Sequence, residues 1–204
     1  MSRGFLPLLA ATLLLGVGAV AWGTEGFRVV TSEGARRLAV ERTPAPAPDV
    51  ALVDQDGNSF SFSGYRGRTV LVDFVYTRCP TLCGVLGDDF HGLLAAMGEK
   101  ESARRIDLLS ISFDPDNDDR EALKHYGDRY GATAPRWRIA APVGSGALAA
   151  LLKAFGVVVI PDGMGGFVHN SAVYVVDARG RLALVLDPDT PPQLAAAALR
   201  MAAP

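Results

Sequence analysis

The chain is poor in cysteine and histidine and carries no block of one charge. Two of its 204 residues are cysteine. Two are too few for the disulfide framework of a small secreted scaffold, and a chain of this length buries a full core without such staples. Lysine and arginine number 20 against 22 acids, a formal net charge of −2, with no basic run. Nucleic-acid binding therefore has no electrostatic footing. Charge is also absent from residues 4–24, with Arg3 before them and Glu25 and Arg28 after. Two readings of that stretch compete. Arg3, a leucine-rich centre and Ala19-Val20-Ala21 resemble a cleaved secretory signal. The same run reaches the roughly 20 residues that span a bilayer, and an uncleaved anchor is the preferred reading. Either one places the rest of the chain outside the cytoplasm, on the periplasmic side. No cysteine lies near the run, so no lipobox-type lipid anchor is expected.

What is present reads as an address, a spacer and one domain. Apolar residues make up 49% and charged residues 21%, an ordinary globular balance. Residues 1–24 form the anchor or signal. Residues 25–48 are expected to be a tether, because Thr43-Pro44-Ala45-Pro46-Ala47-Pro48 favours extended polyproline geometry. Residues 49–204 form the domain. Ala51–Val53 and Ser59–Phe62 flank an Asp56-Gly57 turn and read as a hairpin. Thr69–Tyr76 and Ile106–Phe113 are buried strands. Helices are expected over Val85–Met97, Asp118–Tyr130, Ser145–Phe155 and Gln193–Met201, with a short strand over Trp137–Ala140. Phe167–Asp177 and Leu182–Leu186 are read as two strands joined by Ala178-Arg179-Gly180. Strands alternating with helices and ending in a hairpin predict an α/β fold. Its mixed central sheet is flanked by helices, with thioredoxin-like topology the natural candidate.

The two cysteines share one loop. Cys79 and Cys83 stand in Thr77-Arg78-Cys79-Pro80-Thr81-Leu82-Cys83-Gly84, directly after the first buried strand and before a helix. A helix N-terminus favours the thiolate, the form that attacks disulfides and binds metals. Four-residue spacing lets the sulfurs converge if Leu82-Cys83 enters the helix. The pair is therefore a redox couple or a soft-metal clamp, and packing alone accounts for it poorly. Of the three histidines, His91 and His125 fall on polar helix faces and read as surface residues. His169 lies beside Gly165-Gly166 at the start of a strand, where glycine lets backbone approach a bound group closely. Two thiolates and one imidazole would suit copper, whereas zinc would prefer a fourth protein ligand. The acids at Asp88-Asp89 and at Asp116, Asp118 and Asp119 read as solvated helix caps rather than a hard-cation site.

At these residues the chain resembles the Sco/SenC family of thioredoxin-fold proteins, associated with assembly of the copper A centre of cytochrome c oxidase. The resemblance runs from about Asp49 to Pro204. It rests on Asp54-Gln55-Asp56-Gly57, on Tyr76–Cys83 with its Cys-x-x-x-Cys spacing, on Ser110–Pro115, and on His169-Asn170-Ser171 leading to Tyr174–Asp177. It implies Cys79, Cys83 and His169 as copper ligands and Asp114 as a supporting neighbour. It further implies the copper A subunit of the oxidase as partner, with other copper chaperones as further candidates. Gly84, Val168 and Asn170 depart from the family's usual proline, aspartate and serine or threonine. Two functions follow. One is a copper metallochaperone. The other is a thiol–disulfide oxidoreductase that keeps partner cysteines reduced, with Cys79 and Cys83 as its catalytic pair. A peroxidase reading is weaker, because no separate peroxidatic cysteine motif is present.

Overall fold

The computed structural model describes residues 5–24, 26, 31–79, 82–98, 102–188 and 191–202, with the side chains of residues 5, 6, 82, 83 and 102 outside that description. The chain divides into two units, Met1–Arg42 and Thr43–Pro204.

The first unit holds α1 (Phe5–Gly23) and α2 (Ser32–Arg42). Among the described residues, no helix is long and apolar enough to cross a membrane. The second helix falls inside the expected tether. Its local chemistry explains the difference. The Thr31 hydroxyl accepts from the Gly34 N–H at 3.0 Å and caps the first turn. Glu33 then pairs with Arg36 at 2.6 Å and Arg37 at 3.1 Å, the spacings at which helix side chains meet. The prolines that favour an extended chain begin only at Pro44.

The second unit is built on an eight-stranded mixed sheet. In chain order its elements are β1 (Ala45–Pro46), β2 (Leu52–Asp54), β3 (Ser59–Phe60), β4 (Thr69–Val75), α3 (Leu82–Met97), β5 (Ile106–Ser112), α4 (Arg120–Tyr130), β6 (Trp137–Pro142), α5 (Ser145–Phe155), β7 (Val159–Pro161), β8 (Phe167–His169), β9 (Val173–Val176), β10 (Arg181–Leu186) and α6 (Pro191–Met201). The strand order is β1-β10-β9-β4-β5-β6-β2-β3. The pairs β4–β5 and β5–β6 are parallel and the others antiparallel. Every residue of β4 and β5 is buried, which is why both read as near-continuous apolar runs. Helices cover both faces. Phe90 of α3 packs edge-on to Trp137 of β6 at 5.7 Å, whereas Phe155 of α5 meets Phe74 and Tyr174 at 5.3 Å on the other face.

Two further differences from the sequence reading change the strand arrangement. Ala45–Pro46, expected within the tether, is an edge strand paired with Leu182 and Arg181. The single strand expected over Phe167–Asp177 is two strands. β8 pairs with β7 in a separate two-stranded ribbon, while β9 joins the main sheet. Asn170 causes the break. Its side chain accepts from the Val158 N–H at 2.7 Å and donates to the Gly156 carbonyl at 3.0 Å, latching the chain to the end of α5.

Candidate metal centre

Strand β4 delivers the cysteine loop to the end of the sheet, and the β5–α4 connection fixes it there. Asp118, only 2% exposed, is the anchor. It accepts from the Thr77 N–H at 3.0 Å, the Thr77 hydroxyl at 2.6 Å and the Ser112 hydroxyl at 2.6 Å. A buried carboxylate is tolerated when donors satisfy it in this way. Asp118 is thus not the solvated cap that its acidic neighbourhood suggests. Asp119 takes that role, accepting from the Ala122 N–H at 2.9 Å. Asp114, also buried, pairs with Arg78 at 2.7 Å and accepts from the Asn117 amide at 2.9 Å. Carboxylates from one connection therefore grip the two residues before Cys79. The Cys79 N–H donates to the Tyr76 carbonyl at 3.1 Å and turns the chain toward α3. Cys79 itself is half-buried. Cys83 is the second residue of α3; its side chain, like Pro80 and Thr81, lies outside the described residues.

His169 reaches the same end of the sheet from the ribbon. Its ring packs on Phe113 with centroids 4.9 Å apart, and Phe113, Tyr76 and Phe167 form an aromatic floor with centroids 5.3 to 5.6 Å apart. The ribbon's turn is closed by Asp162, which accepts from the Met164 and Gly166 N–H groups at 2.8 and 2.9 Å. These two donors hold the Asp162 carboxyl below its usual range. At Gly166 a Cβ would lie 2.7 Å from an Asp162 oxygen, so a side chain there would displace that carboxylate.

The imidazole is held in one neutral tautomer. Its Nδ1 lies 3.3 Å from the Asn170 carbonyl. A carbonyl only accepts, so Nδ1 carries the proton and Nε2 the lone pair. Nε2 is buried without a hydrogen-bond partner. Burial lowers the pKa of the ring, with the Asn170 carbonyl acting weakly the other way. An unpartnered imidazole nitrogen is costly inside a protein and fits a soft or borderline metal. Among the described residues, which leave out the Cys83 side chain, no group of three or more His, Cys, Asp or Glu side chains is placed to hold a metal.

The remaining candidates sort by exposure. His91 and His125 are exposed, and so is Asp88. Asp118, Asn170 and the Phe113 floor were not singled out as site-forming by residue type. The signals for them are an aspartate four residues beyond Asp114 and the asparagine directly after His169.

Comparison with known proteins adds the following. The SCO1/SenC family model matches residues 41–203. The SCO1 protein homolog of Bacillus subtilis (strain 168) is 29% identical over 133 residues, covering 63% of this chain and 67% of that protein. Bradyrhizobium japonicum ScoI, solved with copper bound, superposes with a TM-score of 0.64 at 26% identity, covering 77% of this chain and 99% of that one. BsSco, described as a member of the Sco family of cytochrome c oxidase assembly proteins, superposes with a TM-score of 0.65 at 22% identity, covering 78% and 94%. This last likeness carries the thioredoxin-like fold. The chain spans between 34% and 67% of the length of the curated relatives it matches.

Proposed function

The chain belongs to the SCO1/SenC family, and from that premise we propose that it carries copper for assembly of the copper A centre of cytochrome c oxidase. Cys79 and Cys83 bind the ion as thiolates and His169 binds it through Nε2. The observation that carries this reading is the buried, unpartnered Nε2 of a neutral imidazole, held at the sheet end to which β4 brings the cysteine loop. Thiolate ligands suit Cu(I), and two thiolates with one imidazole leave it three-coordinate. The ion is cargo, released when ligands of the recipient replace these three. Loading needs both thiols reduced, because a disulfide offers no thiolate. Copper bound in Bradyrhizobium japonicum ScoI supports the assignment. Residues 4–24 direct the chain to the extracytoplasmic side, where such an oxidase subunit presents its copper site.

Copper titration of the reduced full chain against a Cu(I)-specific chelator tests the reading. One equivalent is expected to bind tightly, Cys83→Ser to abolish that binding, and His169→Ala to weaken it at least tenfold, as loss of a ligand should. Unchanged affinity in both variants would overturn the assignment.

A second reading rests on the place of Cys83 in the first turn of α3, where the helix N-terminus favours the thiolate. One thiolate attacks a partner disulfide, forming a mixed disulfide. The other cysteine then displaces the partner as a reduced dithiol, leaving Cys79–Cys83 oxidised by two electrons. Reduction of an oxidase-derived disulfide peptide by the chain, unaffected by His169→Ala, is the expected result. Absence of any exchange would remove this role.

A further inference from the structure

Seven of the twelve arginines of the folded unit gather at one end of the sheet. Strands β4, β5 and β6 start there because they are parallel, and the β9–β10 turn closes there because Val176 pairs with Val70. Arg66 and Arg68 precede β4, Arg104 and Arg105 precede β5, Arg136 precedes β6, and Arg179 and Arg181 flank the turn. Contacts knit them into one patch. Arg66 donates to the Arg179 carbonyl at 2.8 Å, Arg68 donates to the Arg104 carbonyl at 2.8 Å, and Arg136 donates to the Ile106 carbonyl. The Gly67 N–H ties the β4 approach to the Ala178 carbonyl at 2.9 Å.

Two acids at this end are engaged by arginine. Asp107 is buried and paired with Arg68, and Asp177 is paired with Arg181 at 2.8 Å. Arg66, Arg104, Arg105 and Arg179 are exposed. Asp49, exposed near Arg66, offsets one charge, and Glu99, Lys100 and Glu101 lie outside the described residues. The cysteine and histidine end carries Asp114, Asp116, Asp118, Asp119 and Asp162 against Arg78 and Arg120. A chain of net charge −2 is therefore polarised along its sheet.

The chain also enters the unit at the cationic end. Ala45–Pro46 pairs with Leu182 and Arg181, and the Ala47 N–H bonds the Gly180 carbonyl at 3.0 Å. Upstream lies the uncharged run over residues 4–24. We propose that this arginine end is a docking face for an anionic lipid surface. Basic side chains near a surface of acidic headgroups are attracted over about one Debye length, roughly 8 Å at physiological salt. The entry of the chain beside the patch selects lipid over other polyanions, and the consequence is directional. With the arginine end on the bilayer, Cys79 and His169 face away from it.

Partition of the full chain between buffer and vesicles tests this. Because α1 is apolar, the informative quantity is the ratio of partition into phosphatidylcholine vesicles with one-third phosphatidylglycerol to partition into phosphatidylcholine alone. The ratio is expected to exceed tenfold at low salt and to approach one at high salt. Arg104→Gln with Arg105→Gln, two exposed positions in the short 3-10 turn before β5, is expected to lower it about fivefold or more. The same variant should bind copper as the parent does, which separates this test from that of the metal site. A ratio near one for the parent chain, a ratio indifferent to the substitutions, or equally tight binding to duplex DNA would each overturn the proposal.

Discussion

Asp118 shows what a single buried side chain holds at the site. Removing it strands the Thr77 N–H, the Thr77 hydroxyl and the Ser112 hydroxyl. Unsatisfied buried donors cost about 1–3 kcal/mol each when no water reaches them. Asp118→Ala is expected to lower unfolding free energy by about 2–4 kcal/mol in urea titration. It should also raise the alkylation rate of Cys79 in the folded state, a readout that general destabilisation at a distant site would not move. Asp73 makes the opposite prediction. It is fully buried with no close hydrogen bond to either carboxylate oxygen, and burial, opposed by the nearby Ser110 side chain, pushes its pKa from 3.8 up to about 7. The folded state therefore holds this proton more tightly than the unfolded chain. The contribution of Asp73 to stability is fully present below about pH 4 and is lost as pH rises to about 7, a total on the order of 4 kcal/mol. Asp73→Asn should abolish that decline and leave the variant more stable than the parent at pH 8, as measured by urea midpoints across pH. Of the proposed ligands, Cys79 and Cys83 are legible from type and spacing, and His169 only through the family resemblance. Asp118 is not, because its partners lie up to 41 positions away, and an aspartate before a helix looks the same whether it caps or anchors.

The elements follow the sequence where hydrophobic period alone decides them. β4, β5 and the helices after each lie close to their expected places, since a buried parallel strand and an amphipathic helix carry strong local patterns. The sequence is a poor guide where a side chain cuts a continuous pattern. Phe167–Asp177 reads as one strand, and the Asn170 latch divides it. In the same way Thr31 and Glu33 build α2 in a stretch whose later prolines suggest an extended spacer. The latch yields a prediction for the ribbon. Asn170→Ala removes both side-chain bonds but keeps the backbone carbonyl that orients His169. Copper affinity is expected to fall on the order of tenfold in chelator competition, with the thermal midpoint of the whole domain little changed.

At the scale of the molecule, the edge strand β1 sets the boundary of the folding unit. A chain beginning at Thr43 should unfold with the same urea midpoint as the full chain, since the second unit has its own sheet and core. A chain beginning at Asp49 loses Ala45–Pro46 and the bond from Ala47 to Gly180. It is expected to be less stable by about 1–2 kcal/mol, and its uncovered β10 edge should favour self-association, visible in sedimentation. The cysteines and the histidine belong to parts of the molecule with different mechanical status. Cys79 is tethered to β4, the fourth position in an eight-stranded sheet, whereas β7–β8 shares no ladder with that sheet. Amide protons of β4 should therefore exchange with solvent only on global unfolding, and those of the ribbon through a local opening that denaturant barely accelerates. Cargo held between them would join two regions that breathe on separate clocks, so slowed ribbon exchange would report loading from the histidine side alone.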